Sequence, residues 1–542
     1  MMDFTECYAD TVSRVAAVAR SGHWRHLRRL IQRGCSVEQR DNRGWCPLHE
    51  SAAAGRTQCV RDILSAIAAA GSARHCSAYV NSLTHEGESA CFLAAQLGHL
   101  SVLRLLLKAH ADIDQQTNDG SCPLFAAVDA GHAEVVELLV SEGAEVNGTH
   151  TASCWTCLHQ AVYKGHSEIV RILVGVCDLE ALDDHRITPV FVAAQYGRPD
   201  CLRILINAGA NVNVQVSDLA TPLLIACQEG HGSCVDLLLD HGADPNVPCS
   251  NDWPQLPVHA AAQFGHVGVL RRLIAVTDRV CDRGDAMVSP LYVAVVNDQI
   301  QSVKVLLGEG FSPDAQDCRC LELRSPLQAA INQSSKPYSE SVKLLVAAGA
   351  NIGEETWTSA LATDDSELLQ LILEHRRFPR PEASSADGSS LRCDGRTTLK
   401  QQEVRELLCA ALTHMSFSAC WLPVLLKTGL EPSLLLQPHM LERWNSAVLN
   451  FLLEFVNWST LSVPLKLILD QRRAEKSWDP RPQFEFVPCL SHLCRLQVRS
   501  VLGPDLLMRT GVVQQLPVPA LIHNFLQFKD VLQTSLSTHS TF

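Results

Sequence analysis

The side chains with the most chemical potential in this chain are its 22 cysteines and 22 histidines. Thiolates and imidazoles together could hold a metal, and a cysteine beside a histidine could act as a nucleophile. A structural zinc takes about four such ligands, set in close pairs along the chain. The one C-x-x-C is Cys154–Cys157, and no second pair stands at zinc spacing. No metal is expected. No nucleophile, base and acid occur together outside a repeating pattern, and no phosphate loop or dinucleotide glycine motif is present. Catalytic residues and cofactors are therefore not expected. What remains is the chemistry of binding. Leu490, Cys494 and Val498 recur at i, i+4 and i+8, on one stripe of a helix, and Leu493 and Leu496 widen it. Arg495 and Arg499 add positive charge towards the end of that helix. Such a stripe must cover its own domain or a partner. Farther on, Leu516-Pro517-Val518-Pro519 places an aliphatic residue between two prolines, which makes a stiff, extended backbone presenting Leu516 and Val518.

These residues are positioned by a repeating element. One copy reads Thr188-Pro189-Val190-Phe191-Val192-Ala193-Ala194-Gln195-Tyr196, closed by Gly197. Others read Thr221-Pro222-Leu223-Leu224-Ile225-Ala226-Cys227 and Leu256-Pro257-Val258-His259-Ala260-Ala261-Ala262, closed by Gly230 and Gly265. The proline position falls at Pro47, Ala90, Pro123, Cys157, Pro189, Pro222, Pro257, Pro290 and Pro326, with steps of 43, 33, 34, 32, 33, 35, 33 and 36. Physical reasons set each part of the unit. Thr188 can cap a helix start, and Pro189 tolerates the first helical position because its missing N–H has no partner there. Val192-Ala193-Ala194 gives a short helix with a small face, and Gly197 stops it. A second helix from about Asp200 carries Leu202, Ile204, Leu205 and Ile206. Ala210-Asn211-Val212-Asn213 then starts an extended finger to the next unit.

A period of about 33 residues with a T-P-L-H-x-A core resembles the ankyrin repeat. The resemblance covers roughly residues 12–378 and implies a solenoid whose units bury their apolar faces only by stacking. The step of 43 predicts an insertion near Ala68–Ala78. Val12–Val37 reads as a first repeat with a divergent opening, and Glu354–His375 as a weak last one. The estimate is ten to eleven repeats. His49, His159 and His259 fill the histidine position of the signature, and His99, His132, His166, His231 and His266 follow its glycine. The resemblance implies that they brace turns through local hydrogen bonds. Cys91, Cys157 and Cys227 stand at small apolar positions, where a reduced thiol packs as a small hydrophobe. Trp45, Trp155 and Trp253 lie in the finger region; an exposed Trp is a common interface anchor. They are the candidate contacts for a target protein, against packing between neighbouring fingers.

Bulk properties narrow the class. The chain has 542 residues, 46% apolar and 6% aromatic, which suits small-residue helical packing. Its formal net charge of −13 speaks against a general nucleic-acid binder, and Arg25–Arg29 reads as the solvated face of a helix. The opening Met1-Met2-Asp3-Phe4-Thr5-Glu6 lacks the pattern of a secretory signal, and no window reaches the ~20 apolar residues of a membrane span. A cytoplasmic protein, with a nuclear fraction, is the expectation.

After the repeats the composition changes. Residues 379–400 read as a linker or long loop, rich in Ser and small residues. Residues 401–485 read as helical, with a degenerate repeat-like stretch and Trp444, Trp458 and Trp478 as packing groups. Residues 486–528 hold the stripe and the Leu-Pro-Val-Pro segment, and 529–542 form a tail. This order resembles a SOCS box. Leu490, Cys494 and Val498 match the family's elongin-binding BC box, with Cys489 where Ser, Thr or Pro is common. Leu516-Pro517-Val518-Pro519 matches its cullin box, which implies cullin-5. The chain is thus similar to the ankyrin repeat and SOCS box family: all-α, a repeat solenoid followed by a helical C-terminal box. The resemblance implies a non-catalytic substrate receptor of a ubiquitin ligase, bound to elongin B/C and to cullin-5 with its RING-box protein. The repeats would hold an unidentified target. The alternative is an ankyrin scaffold with no ligase link.

Overall fold

The opening of each repeat starts a helix as its chemistry requires. Thr188 accepts the Phe191 N–H, and Pro189 takes the first position of helix Pro189–Gln195. Thr221 does the same for Leu224 in helix Pro222–Glu229. Ser89 and Cys122 stand in for threonine, capping helices Ala90–Gln96 and Pro123–Ala130 by hydroxyl and thiol.

The structure is a computed structural model and describes residues 12–150, 153–249, 255–278, 288–314, 325–333, 340–353, 356–358, 371–372, 375–377, 397–400, 403–404, 407, 422, 425–426, 430–442, 444–502 and 526–527. It divides into two units, Met1–Cys281 and Asp282–Phe542. In the first, eight antiparallel helix pairs follow one another, from Arg14–Ser21 with Trp24–Gln32 to Pro257–Phe264 with Val267–Val276. In the second, two further pairs are described, Pro290–Val296 with Ile300–Gly308 and Pro326–Gln333 with Glu340–Ala348. The described residues thus hold ten pairs, matching the expected number of repeats. The expected insertion is helical. Helix Thr57–Ala70 is long, and Ser72 caps a further helix, Ala73–Val80. Its alanines are the best helix formers.

The core is made between repeats. Helix Pro189–Gln195 packs against Cys157–Lys164 and Pro222–Glu229, and Val190–Ala194 are buried. Leu202 and Leu205 of helix Pro199–Asn207 are buried between the second helices on either side. No single pair could bury both faces alone.

The histidines do more than brace turns. His49, His159 and His259 accept through Nδ1 the backbone N–H of Cys46, Thr156 and Leu256, at 3.1, 3.3 and 3.0 Å, which is the expected local bond. With Nδ1 an acceptor, Nε2 carries the proton. It reaches the carbonyl of Ser82 from His49 and of Ile187 from His159, both in the next repeat. Four of the second set reach backwards, whereas the fifth, His166, has a buried Nε2 with no hydrogen-bond partner among the described residues. His99, His132, His231 and His266 bond through Nε2 to the carbonyls of Ala53, Gln96, Gln195 and Gln228 in the preceding repeat. Arg56 and Arg198 make the same link to Arg20 and Tyr163.

In the second unit, Trp357 is buried and donates to the Glu403 carbonyl at 3.1 Å. Arg376–Arg377 pair in parallel with Thr397–Thr398, which brings together the two ends of the Ser-rich stretch. Most of residues 379–400, and most of Glu354–His375, lie outside the described residues. Helix Ser446–Leu453 buries Val448, Leu449, Phe451 and Leu452. Trp444 and Trp478 are buried, and the Trp478 indole donates to Asn450 at 3.1 Å. Among the described residues no helix is long and apolar enough to cross a membrane.

Candidate functional site

The helix predicted from the tail stripe spans Leu490–Leu502. Its orientation is set by Trp458. The Trp458 indole donates to the Phe486 carbonyl at 2.9 Å. Its ring meets the Phe484 ring edge-on at 4.8 Å and the His492 ring at 4.7 Å. His492 bonds through Nε2 to the Val456 carbonyl at 3.1 Å. These contacts turn His492 and Arg495 inward, and both are buried.

The opposite side of the helix faces solvent. Leu490 is 76% exposed, and Cys494 is exposed as well. Val498, Leu493 and Leu496 are half-buried at the edges of this face. Three residues not singled out from the sequence extend it: Phe486 at 71%, Val487 at 81% and Val501 at 71% exposure. Val501 continues the helical stripe seven residues beyond Cys494. Phe486 and Val487 precede the helix and lie outside its periodicity, so a search for a helical stripe passes over them. Arg495, expected to add positive charge towards the helix end, is buried. Its position three residues after His492 puts it on the inward side. Leu516, Pro517, Val518 and Pro519 lie outside the described residues.

Trp45 and Trp155 are half-buried and engaged. The Arg43 guanidinium lies over the Trp45 ring at 4.3 Å and pairs with Asp41 and Glu50 at 2.8 and 2.7 Å. The Trp155 indole donates to Asp183 of the next finger at 3.2 Å. Its ring stacks near His159 and meets the edge of Tyr163 at 5.5 Å, and Tyr163 meets Tyr196 at 4.7 Å. Trp253 lies outside the described residues.

The cysteines are built into helix starts. Cys122 caps helix Pro123–Ala130 and lies 3.5 Å from His150 Nε2. The neighbouring Cys157 thiol, together with His150, holds the Cys122 thiol below its usual range. The same contact and burial push Cys157 up. Among the described residues no group of three or more His, Cys, Asp or Glu side chains could hold a metal.

The comparisons with known proteins address the same two regions. The ankyrin-repeat profile matches three times, at residues 68–150, 158–249 and 223–317. The SOCS box profile matches residues 486–527. Ankyrin repeat and SOCS box protein 3 of Homo sapiens is 39% identical over 533 residues, 98% of each chain. The chain belongs to the ankyrin repeat and SOCS box family. The Bos taurus protein of the same name is 38% identical over 98% of this chain and 96% of its own. Ankyrin repeat and SOCS box protein 14 of Mus musculus is 27% identical over 69% of this chain and 49% of its own. The SOCS box match begins at Phe486 and so takes in the whole exposed face, including the two residues ahead of the helix.

Proposed function

We propose that this chain is the substrate receptor of an elongin B/C–cullin-5–RING ubiquitin ligase. The observation that carries the reading is the exposed apolar face of helix Leu490–Leu502, inside the matched SOCS box. A leucine 76% open to water beside further exposed apolar groups is unfavourable in isolation and suits a partner's apolar pocket. Leu490 would enter such a pocket on elongin C, with Cys494 beside it and Leu493 and Val498 at the rim. Leu516, Pro517, Val518 and Pro519 would recruit cullin-5 and its RING-box protein. The chain itself would perform no chemistry. The repeats would hold a target in the cytoplasm for ubiquitination and proteasomal degradation, and the rate gain would come from effective concentration and orientation.

The test is co-purification. Burying a leucine side chain is worth about 1.5–3 kcal/mol, and truncation of a central anchor costs about 2 kcal/mol or more. Leu490→Ala with Cys494→Ala is expected to abolish elongin B/C recovery while leaving the melting curve unchanged, since neither side chain is buried. Elongin recovery equal to wild type would return the chain to a scaffold without ligase linkage.

A further inference from the structure

The first two repeats carry a charge opposite to that of the chain. Residues 12–81 hold eleven arginines, no lysine and four carboxylates, in a protein of formal net charge −13. Helix Trp24–Gln32 contains no acidic residue, and helix Thr57–Ala70, packed against it, contains only Asp62. Arg25, Arg29 and Arg33 follow at i, i+4 and i+8, and all three are exposed. Like charges at that spacing repel, and Arg25 also sits at the helix start, where positive charge is disfavoured. Arg29 and Arg33 lie at the other end, which favours cations, so the cost to the fold falls at Arg25. Beside the stripe, Arg28 donates to Asp62 at 2.6 Å. Arg25 and Arg28 lie over the Trp24 ring at 5.1 and 5.4 Å.

We propose that Arg25, Arg29 and Arg33, with Arg61 on the neighbouring helix, form a docking surface for an acidic segment of a target protein, a run of Asp and Glu side chains. The proposal rests on the reading of the repeats as the target-holding part. The guanidinium fork suits carboxylates, and this region already shows the pairing: Arg28 holds Asp62, and Arg43 donates through Nε and Nη2 to Asp41. From Arg25 to Arg33 the helix rises about 12 Å, the reach of about four extended residues. That suits a short peptide run. Duplex nucleic acid fits less well, because a stripe this short meets few phosphates and the Trp24 face is occupied by arginines. A membrane fits less well too. Among the described residues, none of the exposed large apolar side chains falls within 12–81.

The experiment uses the full chain co-expressed with elongin B/C and a fluorescein-labelled oligoglutamate peptide, read by anisotropy at low and at physiological salt. Wild type is expected to bind, more weakly as salt rises. Arg25→Gln/Arg29→Gln/Arg33→Gln is expected to bind at least tenfold more weakly, with elongin recovery unchanged. Arg29→Gln/Arg33→Gln/Arg61→Gln leaves the Trp24 stack intact and serves if the first variant melts early. Equal binding by wild type and both variants overturns the proposal. So does preference of wild type for a DNA duplex or a phosphatidylserine vesicle over the peptide. Loss of elongin recovery in wild type overturns the ligase reading alone, because the peptide measurement does not depend on it.

Discussion

Glycine and histidine are coupled across the repeat boundary, one residue against another. Gly230 ends its helix at φ +77°, and a Cβ there would lie 2.4 Å from His266 Nδ1. Gly143 has the same left-handed backbone, at φ +89°, with nothing within 4 Å of a Cβ. Both lose about 1–2 kcal/mol on substitution by alanine from the backbone alone. Gly230→Ala must also move the His266 ring, which bonds to the Gln228 carbonyl at 2.9 Å. We predict that Gly230→Ala lowers the melting temperature clearly more than Gly143→Ala. Equal shifts in thermal unfolding would show that the histidine yields freely. The glycines were legible in the sequence as helix stops. Their second role, leaving room for a ring from the next repeat, was not, because that ring is more than thirty residues away.

Helix pairs are joined to their neighbours by polar links as well as apolar packing, and the link at His159 titrates. Burial holds His159 below its usual range, while its bonds to Thr156 and Ile187 satisfy the neutral ring. A histidine with a lowered folded pKa binds fewer protons than the unfolded chain just below pH 6.5. Its contribution to stability is therefore present above about pH 6.5 and is lost as pH falls towards the lowered value. Melting temperature should drop on acidification across that window. His159→Gln should be less stable at neutral pH and show a shallower drop. An unchanged pH slope in the variant would place the acid sensitivity elsewhere. The tail helix obeys a related rule. The stripe Leu490, Cys494, Val498 was legible from spacing alone, since i, i+4, i+8 defines one side of any helix. Which side turns inward was decided by Trp458 and His492.

The whole molecule consists of two units with different tasks under the proposed function. Met1–Cys281 holds eight repeats and the arginine surface, and Asp282–Phe542 holds the SOCS box match. Stability in a repeat array is close to a sum of units and their neighbour interfaces. We predict that residues 1–281 fold alone, keep affinity for the acidic peptide within about threefold, and recover no elongin B/C. Far-ultraviolet dichroism, anisotropy and co-purification check the three parts. A fragment that folds but has lost the peptide would show that the surface needs the second unit.

The sequence by itself determined the repeat, its register and the helical tail. These depend on local chemistry: caps, proline at the first helical position, glycine stops and apolar spacing. It also marked Leu490 and Cys494. Only the tertiary structure decided which face of the tail helix stays open, that Phe486, Val487 and Val501 enlarge it, and that Arg495 is buried. It also showed Trp45 and Trp155 engaged by Arg43 and Asp183, and Arg28 paired with Asp62 on the neighbouring helix. Those outcomes depend on contacts between residues far apart in sequence, which periodicity does not encode.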